Sequence, residues 1–226
     1  MAVRNTSIVS LSLCSVLLAS GCASMSKEAC LHADWRAIGY EDGADGQPIS
    51  AASSKRTACA KKAGVTIDMA QYVMGREEGL TLYCRPSRGY TLGAGGGYYH
   101  GVCTGSSEAD FLAAYEAGRR LYAMERAITT MSAEIRQAQY DLNDVEYSLV
   151  RTETALIDTN VPGVSRVNLL IELKQLLAEK HDLDETLAKL TYDQARTKGN
   201  LRDYREHMAL NGPLPRPATT AVQVNY

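Results

Sequence analysis

The chain has 226 residues, with 24 lysines and arginines against 26 aspartates and glutamates and a formal net charge of −2. That balance argues against nucleic-acid binding, which asks for a strongly basic face. Hydrophobic residues make up 45% of the sequence, enough to bury a core, but a single Trp and a single Phe beside 13 Tyr keep that core modest.

Arg4 precedes an apolar run from Ile8 to Leu18, the charged-then-apolar order of a secretory signal, and the run is too short to span a bilayer. Small residues Ala19, Ser20 and Gly21 lead straight into Cys22. The stretch LLASGC resembles the lipobox of bacterial lipoproteins, although the commoner leucine sits one place early, as Leu18. The resemblance implies loss of residues 1–21 as a signal peptide and acylation of Cys22, with residues 22–29 as a tether to the membrane. One acyl chain holds a protein only marginally, whereas two or more anchor it stably. Ala23 follows the cysteine where, in the lipoproteins resembled, aspartate signals retention in the inner membrane. The expected location is therefore the periplasmic face of the outer membrane.

Cys14 leaves with the signal, so Cys30, Cys59, Cys84 and Cys103 remain. An even number in an oxidising compartment predicts two disulfides. No metal site is expected, because no CxxC pair exists and His32 and His100 lack ligand-like spacing. Three pairings are open. Neighbouring cysteines close the shortest loops, which favours Cys30 with Cys59 and Cys84 with Cys103.

The cysteine region also repeats a short pattern: IGYEDG (38–43), MGREEG (74–79) and AAYEAG (113–118). In each, a small residue (Gly39, Gly75, Ala114) stands four before a glycine (Gly43, Gly79, Gly118). Residues four apart share a helix face, so each pair makes a notch where another backbone can come close. Glycine within a helix costs about 1 kcal/mol relative to alanine, which such packing would offset. The glutamates between the small residues, Glu41, Glu77 and Glu116, are expected to cap or pair within their own helices near Arg36, Arg76 and Arg119, rather than to do acid-base chemistry.

The words DWRAIGYEDGADG, YVMGREEGLTLYC and GYYHGVC resemble an uncharacterised family of Gram-negative lipoproteins classed as a domain of unknown function. The resemblance spans residues 30–120. It implies location and domain extent and carries no activity.

Residues 90–101, YTLGAGGGYYHG, are glycine-rich but fail as a phosphate cradle, because Tyr98 stands where the third glycine of GxGxxG belongs and no P-loop lysine follows. They read as a loop tied at Cys84 and Cys103 and lined by Tyr90, Tyr98 and Tyr99, the first place to look for a small ligand or glycan.

From Ser107, a capping-box start with Asp110, the pattern changes. Apolar residues recur every seven positions through Leu121, Ile128, Ile135, Leu142, Leu149 and Leu156, with a second seam through Met124, Met131, Ala138, Val145 and Thr152. That is a coiled-coil signal. The breaker NVPG (160–163) separates it from a second heptad helix running through Leu169, Leu173, Leu176, Leu183, Leu187, Leu190, Leu201, Tyr204 and Met208. Lys180, Gln194 and Thr197 interrupt that seam, so pairing is expected to weaken towards the C-terminus. A short turn between two such helices implies an antiparallel hairpin. The proline-rich tail reads as a disordered end.

The expected fold is mainly α: a small disulfide-braced helical domain (30–120), a long antiparallel coiled-coil hairpin (121–210) and a tail (211–226). No cofactor is expected. The chain has no HExxH and no GxSxG, and an SxxK match at Ser24 lies beside the anchor, so no catalytic activity is expected. Two function classes remain. One is a structural or interaction lipoprotein, whose hairpin meets an envelope protein or a second copy of itself. The other is a ligand- or glycan-binding module with the hairpin as spacer.

Overall fold

The computed structural model describes residues 25–212; residues 1–24, which include the signal segment and Cys22, and the tail beyond Gly212 lie outside the described residues. Seven helices follow one another: α1 (Lys27–Leu31), α2 (Trp35–Ala44), α3 (Ser50–Ala63), α4 (Met69–Tyr83), α5 (Pro86–Ala94), α6 (Ser106–Ile157) and α7 (Gly163–Asn211). No strand occurs among the described residues. The fold is the expected one, a disulfide-braced helical base followed by a long helical hairpin.

Local chemistry sets the helix ends. Asp34 accepts hydrogen bonds from the backbone N–H groups of Arg36 and Ala37 and so caps α2, and Asp68 does the same for Ala70 and Gln71 at the start of α4. Pro86 opens α5, where its missing N–H costs nothing. α6 has no side-chain cap, and the Ser107 hydroxyl instead donates to the Thr104 carbonyl, so the expected capping box does not form.

The base is built from two pairs of parallel helices. In the first pair a Cβ at Gly39 would overlap the Tyr72 carbonyl of α4, and one at Gly43 would overlap that of Arg76. From the other side, Gly75 lies against the carbonyl of Arg36 and Gly79 against that of Tyr40. Both chains advance together, so α2 and α4 run in the same direction with their backbones in contact. The second pair, α5 and α6, repeats the arrangement: Gly89 meets the carbonyl of Phe111, Gly93 that of Tyr115, and Gly118 that of Tyr90.

Four notched segments are therefore present where the sequence pattern showed three. The additional one is Gly89–Gly93, which runs into the stretch expected to be a loop, 90–101. The two pairs are also equivalent in detail. α2 ends in a Schellman motif, with Gly46 N–H bonded to the Gly43 carbonyl and Gln47 N–H to that of Asp42; α5 ends in the same way, with Gly96 bonded to Gly93 and Gly97 to Leu92. Gly46 and Gly96 have φ of 68° and 71°, and a Cβ on either would strike a tyrosine ring, Tyr83 in the first pair and Tyr122 in the second. Arg76 donates to the Gln47 carbonyl at 2.8 Å, and Tyr115, at the matching place, donates to that of Gly97 at 3.0 Å.

Two disulfides brace the base. Cys30 joins Cys59, tying α1 to α3, and Cys84, the C-cap of α4, joins Cys103 in the segment ahead of α6. Around the first lie Trp35, Ile67 and the fully buried Tyr72; around the second lie Tyr83 and the fully buried Phe111.

α6 does not stop at the base. Its first turns pack on α5, and the same 52-residue helix continues into the hairpin, about 78 Å in all at 1.5 Å per residue. α7 returns antiparallel along it.

Candidate interaction surface

The hairpin seam is the heptad seam. Every apolar position in its two rows on α6 is buried or half-buried, with Ala138, Val145, Leu149 and Thr152 the most enclosed. Two of the three polar residues that interrupt the α7 seam find partners on α6. Gln194 donates to Ser132 of α6 at 2.7 Å, and Lys180 bridges to Glu146 at 2.9 Å while also bonding Asp184. These bonds hold the Lys180 ammonium above the ordinary lysine range. Farther along, Leu201 is the buried residue of α7, and the Tyr204 hydroxyl donates to the Ala117 carbonyl at 2.7 Å, fastening the end of α7 to the base. Burial raises the Tyr204 pKa. Polar partners in a seam select one register at some cost in stability.

At the far end the turn is closed by Arg166, which donates to the carbonyls of Asp158 at 2.8 Å and Val161 at 3.1 Å. Around that turn the apolar residues outnumber the seam. On α7, Val164, Val167, Leu170, Ile171 and Leu177 are 51% to 80% exposed, and on α6 Tyr147, Val150 and Ile157 are 61% to 79% exposed.

Four of these residues, Leu170 and Leu177 of α7 and Val150 and Ile157 of α6, lie on the same side of the hairpin. Arg205 of α7 bridges to Glu125 of α6 at 2.6 Å, so these two flanks face each other across the seam. Leu170 and Leu177 stand whole heptads before Arg205, on its flank, and Glu146 and Glu153 stand whole heptads after Glu125 on the other. Val150 and Ile157 follow those glutamates by four residues, one turn on along the same edge. The heptad pattern does not mark this face, because its apolar residues lie outside the a and d positions.

The base offers less. Tyr90 lies on α5, not in a loop. Tyr99 is packed against Phe111 at 4.8 Å between ring centres, and its hydroxyl accepts from the Cys103 N–H at 2.8 Å. Of the three tyrosines only Tyr98 stands out into solvent, 75% exposed, with the His100 ring edge-on to it at 5.1 Å. Of the ligand loop expected over 90–101, residues 90–94 are the end of α5, where Gly93 meets the α6 backbone, and 95–101 form a turn and a loop. Arg36, Arg76 and Arg119 also do not serve the glutamates of their own repeats: Arg36 pairs with Glu78 across the α2–α4 contact, and Arg76 and Arg119 donate to the carbonyls of Gln47 and Gly96.

Among the described residues no group of three or more His, Cys, Asp or Glu side chains is placed to hold a metal ion. No helix among them is long and apolar enough to cross a membrane.

A family model described as "Protein of unknown function (DUF2799)" matches residues 34–120. That part of the chain is therefore similar to an uncharacterised family whose description names no activity. The match begins at the Asp34 cap and ends where α6 leaves α5, so it spans both helix pairs, and the rest of the hairpin lies beyond it. No curated protein and no solved structure matches the chain.

Proposed function

We propose that the protein is an outer-membrane lipoprotein on the periplasmic side, held by acylated Cys22, with a structural or protein-interaction role and no catalysis of its own. One observation carries the reading: a single helix, α6, runs unbroken from the disulfide-braced base to an exposed apolar face at the hairpin end. A face of that kind on a rigid arm is what a protein contact needs. The lipobox-like LLASGC stretch supports the anchor, and the two disulfides are in keeping with an oxidising compartment.

Two measurements test it. Labelled palmitate should enter the intact protein and be lost in Cys22→Ser; equal labelling of both would remove the anchor. A photoreactive residue at Asn143 or Glu179 should give a discrete crosslinked band in the membrane fraction of intact cells. Its absence from both positions would overturn the interaction role.

A further inference from the structure

The geometry points to a second copy of this chain as the occupant of the apolar face, the two hairpins lying side by side and pointing the same way to close a four-helix bundle. This deepens the interaction reading and rests on it. The four apolar residues placed on this side, Leu170, Leu177, Val150 and Ile157, leave on the order of 450 Å² accessible, as much as the largest apolar patch of a typical monomer, and such patches are often functional.

Level by level, the face is complementary to itself. Ser132 is level with Gln194, and Glu146 with Lys180. A two-fold axis along the hairpin sets α6 of one copy against α7 of the other and keeps those levels. Val150 then meets the partner's Leu177, and Ile157 meets the partner's Leu170, so apolar rows face apolar rows.

The charges beside the face agree. Glu153 falls level with the step from Leu173 to Lys174, which brings it to Lys174 of the second copy, twice by symmetry. Both side chains are exposed.

The test uses the full chain in detergent, with a photoreactive residue in place of Val150. A band at twice the chain mass, joining the Val150 peptide to the Leu177 region of another copy, is expected. Glu153→Lys and Lys174→Glu should each lower that band, and mixing the two variants should restore it by roughly threefold to tenfold, because every contact in the mixed pair is again of opposite sign.

A doubled band joining α6 to α6 would overturn the side-by-side arrangement, as would failure of the mixture to restore it. No doubled band would overturn self-association. In that case a crosslink to a different protein from Asn143 or Glu179 in cells would leave the interaction reading standing, and none would remove both.

Discussion

The Tyr72 hydroxyl on α4 donates a 2.7 Å hydrogen bond to the Asp42 carboxylate on α2, and Lys55 of α3 pairs with the same carboxylate. In the second helix pair the matching places hold Phe111 and Leu92, so one repeat joins its helices through a polar triad and the other through apolar contact. Tyr72→Phe should lower unfolding stability by about 1 kcal/mol, the net worth of a hydrogen bond to a charged group less its packing, which is retained. Urea unfolding of the variant measures it, and a midpoint equal to that of the wild type would show the bond contributes nothing.

Burial first, and then the hydrogen bond to Asp42 and its charge, push the Tyr72 pKa well up from about 10, and burial also raises that of Tyr83. The folded state therefore keeps protons that the unfolded chain loses above about pH 10. Stability from these groups is complete below that pH and is lost as pH rises beyond it. The melting temperature should fall between pH 9 and 11, and less steeply in Tyr72→Phe. Parallel curves for the two proteins would refute the assignment.

Two helix-interior glycines should respond to alanine with opposite signs. At Gly79 a Cβ would overlap the Tyr40 carbonyl, a backbone atom that cannot swing aside, and the substitution should cost at least about 2 kcal/mol or unfold the base. Around Gly199 of α7 nothing lies within 4 Å, so alanine should stabilise by roughly 0.5–1 kcal/mol through helix propensity. Thermal unfolding followed by circular dichroism separates the two cases.

The disulfides close loops with sequence separations of 29 and 19 residues. Chain entropy assigns each about 3–4 kcal/mol. Replacing Cys84 and Cys103 together by alanine should loosen the α5–α6 pair and expose its amides to hydrogen exchange, while α2 and α4 stay protected by their own backbone contact beside the intact Cys30–Cys59 bridge. Uniform loss of protection would mean that the two pairs unfold as one unit.

The hairpin was legible in the sequence because its seam obeys a local rule: residues seven apart share a face whatever lies around them, and NVPG marks the turn. The four cysteines were legible as two bridges, since short loops favour neighbouring partners. The helix pairs were legible only in part. Notched segments at Gly39, Gly75 and Ala114 could be seen, but not which backbone enters which notch, because that depends on segments tens of residues apart lying parallel. Gly89 and Gly93 show the difficulty: four further glycine and alanine neighbours make the stretch read as a loop, and only the α6 backbone against it makes a helix the better state. The apolar face at the hairpin end was likewise decided in three dimensions. Heptad positions say which residues enter the seam, but only the pairing of Arg205 with Glu125 puts Leu177 and Val150 on one side. Sequence alone determined the two hairpin helices and their period; tertiary structure decided that Gly89 and Gly93 sit in a helix, which faces were used up in packing and which remained free.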